Sequence, residues 1–269
     1  MQSNEPQLRA NIVAIGKCVW QKGWVAANDG NISCRLPGDR ILCTPTGVSK
    51  GMMSVDDLII CDLEGNRLEG MRARTTEINM HLTIYKMRPD VTAVVHAHPP
   101  ASTGFAVAGR ALDQAILPEV IVTLGCVPLA EYGLPGTPAV TEGMMPYIPK
   151  YDAILMGNHG AVCYSDELWK AYFRMETVEH TARIILIAEM LGGAKVLPRP
   201  EVDKLLDSRA RYGVTSRAGF DAGCPVAAGE SSCGTGPLAA AEERYEFTRT
   251  ELIALVNEAL RTRDAAAAK

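Results

Sequence analysis

Up to Leu191 the chain alternates two apolar patterns, one recurring at helical spacing and the other confined to short runs bounded by turn residues. This alternation constrains the fold more than any other feature, because interleaved helices and strands bury their apolar faces by stacking as layers. Leu8, Ile12, Ile15 and Val19 predict an amphipathic helix over residues 6–22, stopped at Gly23. Strands are expected over 40–44 and 58–62, followed by a turn at Glu64-Gly65-Asn66. Thr75-Thr76-Glu77 reads as a helix start, with Ile78, His81, Leu82 and Tyr85 on one face and a stop before Pro89. Residues 91–98 read as a strand ended by Pro99-Pro100, 101–108 as a short helix and 120–127 as another strand. A compact buried strand over 153–156 and a long helix over 166–191 complete the series. The order β, β, α, β, α, β, α predicts a layered α/β domain.

With 269 residues, 47% of them apolar and 22% charged, the chain has the profile of a globular protein with a sizeable core. That excludes wholesale disorder and a disulfide scaffold. A formal net charge of −4 provides no basic footprint, so no nucleic-acid partner is expected. The longest apolar run, 182–191, is interrupted by Glu189 and is too short for a bilayer, and the polar opening 1–7 is not a secretory signal. No membrane partner and a cytoplasmic location are therefore expected. Cys18, Cys34, Cys43, Cys61, Cys126 and Cys163 are scattered singly, without a C-x-x-C pair, and read as reduced, mostly buried side chains. Cys224 and Cys233 have no neighbouring ligands and are assigned no metal.

Three of the five histidines fall in informative places. His96 and His98 are two apart on a predicted strand and project from one face. His159 follows the buried strand 153–156 in Gly157-Asn158-His159-Gly160, where it could supply a third ligand. Three imidazoles with an open fourth position are a catalytic zinc pattern, but H-x-H spacing alone favours ordinary hydrogen-bonded histidines over a metal site. His180, mid-helix, reads as solvated. His81, one turn after Glu77, could orient that carboxylate or simply pack. Glu77 itself sits at a helix start, where backbone N–H groups and the helix dipole favour an anion. Asp29-Gly30-Asn31 and Thr44-Pro45-Thr46-Gly47 are turns able to present N–H groups to a phosphate, or turns and nothing more.

Five segments in order, 27–33, 44–47, Thr75-Thr76-Glu77, 95–99 and 157–160, together resemble the class II aldolase/adducin-like family. That family includes L-fuculose-phosphate and rhamnulose-phosphate aldolases and ribulose-phosphate 4-epimerase. The resemblance spans about residues 8–213 and implies a three-layer α/β/α catalytic domain, residues 1–213, around a central mixed, largely antiparallel sheet. It implies His96, His98 and His159 as ligands of one Zn2+ per subunit and Glu77 as the catalytic acid/base. Gly30, Asn31, Thr46, Gly47, Thr75 and Thr76 would hold the substrate phosphate, and Tyr212 would help close the site. The implied reaction is aldol cleavage of L-fuculose 1-phosphate or L-rhamnulose 1-phosphate to dihydroxyacetone phosphate and L-lactaldehyde, by a homotetramer. A pentulose-phosphate 4-epimerase or sugar-phosphate dehydratase is the alternative, although the epimerase branch resembles Asp where Glu77 stands. A non-enzymatic adducin-like module lacks the metal ligands that are intact here. One departure is Glu119, in Leu117-Pro118-Glu119-Val120, where family aldolases place a tyrosine near the aldehyde.

Beyond this domain, Gly, Ala and Ser dominate 214–239, as in a flexible linker, and 240–269 carries an apolar stripe of Leu252, Ile253, Val256 and Leu260. A short amphipathic helix on such a tether resembles the encapsulation peptides that attach enzymes to the shell proteins of bacterial microcompartments, where fucose and rhamnose breakdown is housed. A helix docked on its own domain or at a subunit interface is the other reading of the same stripe.

Overall fold

The computed structural model describes residues 4–212 and 214. All of them belong to the first of two compact units, Met1–Cys233. The expected linker beyond Val214 and the 240–269 helix, with Leu252, Ile253, Val256 and Leu260, lie outside the described residues.

Eight strands form one sheet: β1 (Asn31–Leu36), β2 (Arg40–Cys43), β3 (Ile59–Cys61), β4 (Arg67–Glu69), β5 (Ala93–Ala97), β6 (Leu129–Ala130), β7 (Ala153–Met156) and β8 (Gly160–Ser165). Their spatial order is β4-β3-β2-β1-β5-β8-β7-β6, antiparallel throughout except for the parallel β6–β7 pair. The helices are α1 (Glu5–Gln21), α2 (Ile78–Met87), α3 (Pro100–Val107), α4 (Pro118–Thr123), α5 (Pro138–Met144), α6 (Leu168–Met190) and α7 (Arg199–Ser208).

The two-residue period of the strands sorts their side chains into two cores. Ile32, Cys34, Leu42, Ile60, Val95, Leu155 and Cys163 pack with α1, α3, α4 and α6 on one face. Ile41, Cys43, Ile59, Val94, Ile154, Val162 and Tyr164 pack with α2 and α5 on the other. The architecture is therefore three-layered α/β/α with a mixed, mainly antiparallel sheet. Burial on both faces also explains why β5 and β7 read as mainly apolar runs, without polar alternation.

One expected strand is a helix. Residues 120–127 are β-branched and apolar, yet Pro118 begins α4, where its fixed φ suits the first helical turn. Val120 and Leu124, four apart, then enter the main core, while Ile121 enters a small satellite core with Tyr151 and Val202. Burial on two sides outweighs the strand preference of valine and isoleucine. Cys18, Cys34, Cys43, Cys61 and Cys163 are free thiols, whereas Cys126 is disulfide-bonded, contrary to the expectation for all six. Among the described residues no helix is long and apolar enough to cross a membrane.

Candidate metal centre

The centre forms where β1, β5 and β8 lie side by side. Asn31 is opposite His96 in the β1–β5 ladder, and His96 is opposite Val162 in the β5–β8 ladder. His96 thus projects from the face covered by α2. His98 follows the strand, its N–H donating to the Trp24 carbonyl at 2.9 Å. His159 arrives from the β7–β8 turn, where Asn158 adopts φ 54° and the His159 N–H donates to the Met156 carbonyl. Asparagine accepts this left-handed conformation better than most residues. The turn needs Gly160 as well: a Cβ there would stand 2.5 Å from His98 Cδ2 and 2.7 Å from the Ala97 carbonyl oxygen.

The three imidazoles converge. Ring centroids are separated by 4.9, 4.9 and 5.1 Å, and one nitrogen of each ring lies within 4.8 Å of the other two. His96 Nδ1–H donates to the Ala161 carbonyl at 2.9 Å, which leaves Nε2 with its lone pair inward, 3.2 Å from His98 Nε2. Two imidazole nitrogens on one tetrahedral zinc ion stand roughly 3.3 Å apart. His159 Nδ1 is buried without a hydrogen-bond partner. Burial lowers the His96 pKa to about 3 and lowers that of His98, so both rings are neutral, the form that ligates. Convergence and a fixed tautomer fit this donor set to a divalent metal ion.

Glu77 faces the same point. Its Oε1 is 3.0 Å from His159 Nε2 and its Oε2 is 3.5 Å from His96 Nε2, while Asn31 Nδ2–H donates to Oε2 at 2.8 Å. Burial alone would raise its pKa, but His96, His159 and Asn31 outweigh that effect and hold the carboxyl well below the usual range. The residue precedes α2 without capping it. Behind Glu77 runs a buried chain of hydrogen bonds. Asn31 Oδ1 contacts His81 Nε2, and Ser33 Oγ lies 2.7 Å from His81 Nδ1 and 2.8 Å from the Tyr85 hydroxyl. His81 therefore reaches Glu77 through Asn31, a link not apparent from its spacing alone.

Three turns close on this wall. Thr44 N–H donates to the Ile32 carbonyl, Thr44 Oγ1 accepts from Ile32 N–H, and Thr46 N–H donates to the Ala73 carbonyl. Gly30, Asn31, Thr46, Gly47, Thr75 and Thr76 thereby sit on turns joined to one another. Gly30 and Gly47 have φ of 70° and 71°; a Cβ on Gly30 would press on Val25 and the His96 carbonyl, whereas one on Gly47 would meet nothing within 4 Å. Lys50, overlooked in the sequence, is buried at this junction and donates to the Asn28 and Val48 carbonyls. Its one sequence signal was a lysine bracketed by Gly47 and Gly51 directly after an anion-type turn. Tyr212 is elsewhere: it ends the 3-10 turn Arg209–Tyr212 and is 70% exposed. Glu119 and His180 are exposed too.

An α/β/α domain with three inward imidazoles beside an ionised carboxylate defines a protein with a three-histidine metal-type centre. The chain belongs to the class II aldolase and adducin family, whose model, Class II Aldolase and Adducin N-terminal domain, matches residues 10–186. It is 32% identical over 198 residues to a 3-oxo-tetronate 4-phosphate decarboxylase of Pectobacterium atrosepticum, covering 72% of this chain and 89% of that one. It is 31% identical over 179 residues to an L-fuculose phosphate aldolase of Methanococcus maripaludis, covering 66% and 96%. Among solved structures, an L-fuculose 1-phosphate aldolase superposes with a TM-score of 0.71 at 27% identity, covering 77% and 97%. A putative aldolase/epimerase/decarboxylase from Klebsiella pneumoniae superposes with 0.69 at 30%, covering 75% and 98%.

Proposed function

We propose that the protein is a zinc-dependent carbon–carbon lyase for a phosphorylated ketose, and that its reaction is aldol cleavage of L-fuculose 1-phosphate or L-rhamnulose 1-phosphate. The products are dihydroxyacetone phosphate and L-lactaldehyde. The observation that carries this reading is the convergence of His96, His98 and His159 with Glu77 3.0 Å from the His159 ring. His96, His98 and His159 hold the ion, which supplies Lewis-acid stabilisation of the negative charge left when the bond breaks. Glu77 carries the proton of the enediolate carbon: it rests ionised, accepts a proton released during cleavage and delivers it to that carbon. Asn31 holds the Glu77 carboxylate in place through its amide. Gly30, Asn31, Thr46, Gly47, Thr75 and Thr76 cradle the phosphate, which fixes the reacting carbons relative to Glu77.

A second reading has a specific observation behind it, the 32% identity to a 3-oxo-tetronate 4-phosphate decarboxylase. Decarboxylation also breaks a carbon–carbon bond, leaves an enediolate and requires a proton at carbon, so the same residues serve it. An epimerase or dehydratase on this scaffold is the further alternative. The exposed Tyr212 suits a role in a neighbouring subunit's site, which makes a homotetramer part of the proposal. Attachment of the 240–269 helix to a microcompartment shell is tested by whether removing the chain after Gly213 changes localisation and leaves assembly intact.

The deciding experiment incubates zinc-loaded, full-length protein with the two deoxy-ketohexose phosphates and with 3-oxo-tetronate 4-phosphate, with and without chelator. Chelator-sensitive release of dihydroxyacetone phosphate from a hexose phosphate establishes the aldolase. Carbon dioxide from the keto acid, with the hexose phosphates untouched, replaces it by the decarboxylase.

A further inference from the structure

Lys50 is only 2% exposed, and ammonium groups are seldom so deeply buried without a counter-charge. Its Nζ donates to the Asn28 carbonyl at 2.9 Å and the Val48 carbonyl at 3.0 Å, and no ion pair engages it among the described residues. An ammonium has three N–H donors, so one is left over. Asn28 leads into the Asp29-Gly30-Asn31 turn and Val48 follows Thr46-Gly47, so the cation lies at the seam of the two turns. The neighbouring acids, Asp29 and Glu77, favour the cation from a distance, but neither forms an ion pair with it; their nearest ring contacts are His98 Nδ1 at 3.6 Å for Asp29, and His96 and His159 for Glu77. The Gly47 turn opens onto free space.

We infer that the Lys50 ammonium is the counter-charge for the substrate's phosphate, binding the dianion where the two turns meet. The inference rests on the reading of those turns as the phosphate cradle. A staple between two carbonyl oxygens needs donors but no charge; a neutral amide would serve. A net charge kept at the price of lost hydration, with Asp29 and Glu77 near but not paired with it, is placed to meet an arriving anion. Burial lowers the Lys50 pKa to about 8, with Asp29 and Glu77 acting the other way, so the cation persists at neutral pH.

The test is calorimetric titration of inorganic phosphate into metal-loaded, full-length wild type, K50M and K50Q, each paired with a thermal melt. Phosphate should bind at least tenfold more weakly to both variants. K50M should melt at or above the wild-type temperature, because an apolar chain replaces a buried charge that has no ion-pair partner. K50Q keeps N–H donors at this position without the charge, and its loss of phosphate affinity separates charge from staple; should K50M not fold, K50Q carries the comparison. Phosphate affinity within twofold of wild type in K50Q overturns the inference, as does a loss seen only in variants with a lowered melting temperature. Wild type that binds no phosphate overturns the cradle and the inference together. Phosphate binding requires no turnover, so a protein that binds phosphate but cleaves none of the sugar phosphates refutes the reaction and leaves Lys50 its role.

Discussion

Asn31 decides the polarity of the hydrogen bonds behind Glu77. Its amide nitrogen is committed to the Glu77 carboxylate, so its oxygen must accept, and His81 carries its hydrogen on Nε2. His81 Nδ1 then accepts from the Ser33 hydroxyl, which accepts in turn from Tyr85. Burial lowers the His81 pKa to about 4 and keeps the ring neutral, so this chain orients Glu77 and exchanges no proton with it at neutral pH. His81→Ala leaves Asn31 Oδ1 without its partner, leaves the Ser33 hydroxyl with Tyr85 alone and opens a cavity, a cost of about 2–4 kcal/mol in urea unfolding. An unfolding midpoint equal to wild type would mean that the chain is dispensable. Glu77→Gln is nearly isosteric and keeps a hydrogen-bonding side chain at this position, but it cannot carry the proton. It should retain one metal ion per chain by elemental analysis and lose about 100-fold or more in turnover. Loss of the metal together with turnover would instead make Glu77 a ligand.

At the scale of elements, the centre depends on how tightly β5 and β8 approach at Gly160. Gly160→Ala puts a methyl group 2.5 Å from the His98 ring and 2.7 Å from the Ala97 carbonyl, which belongs to the backbone and cannot swing aside. The expected results are a loss of about 1–3 kcal/mol in stability and at least tenfold in metal affinity. Gly104→Ala, within α3 and with nothing within 4 Å of its new Cβ, is the control; it should stabilise the protein by about 0.5–1 kcal/mol. Equal metal affinity in the two variants would show that close strand packing does not set the His98 ring. The sequence announced β5 because a short apolar run carrying two histidines and stopped by two prolines suits a buried strand and little else. It was less plain about β1, where Ile32, Cys34 and Leu36 alternate with Asn31, Ser33 and Arg35 over only six residues inside a turn-rich stretch, and about β8, which begins at once after the His159 turn. Both are defined by pairing with β5, and a register between distant segments leaves no trace in local pattern. The same holds for the site: the histidines and turns were legible from motifs, whereas the bond from Lys50 to Asn28 and the Asn31–His81 link span 22 and 50 positions.

For the molecule as a whole, burying neutral imidazoles beside a carboxylate has a consequence in acid. An unfolded histidine titrates near 6.5; in the folded protein burial takes His81 to about 4, takes His96 to about 3 and lowers His98. Below pH 6.5 the unfolded chain takes up protons that the folded one refuses, so stability is fully present above that pH and declines as pH falls. The slope is about 1.4 kcal/mol per pH unit for each such imidazole until its folded pKa is reached. Glu77 adds to the decline below the normal carboxylate range, because its folded pKa is depressed and protonation breaks its pairing with Asn31 and the imidazoles. Chelator-treated protein should therefore melt at progressively lower temperature from pH 6.5 to 4.5. A metal ion bound only by the folded state raises the melting temperature by mass action, and protons compete for the same nitrogens. The gap between loaded and chelated protein should be widest near neutrality and close in acid. Chelated protein with an unchanged melting temperature across pH 6.5–4.5 would mean that the rings are solvated or already protonated at neutral pH. A gap that persists undiminished at pH 4.5 would place the metal on ligands other than His96, His98 and His159.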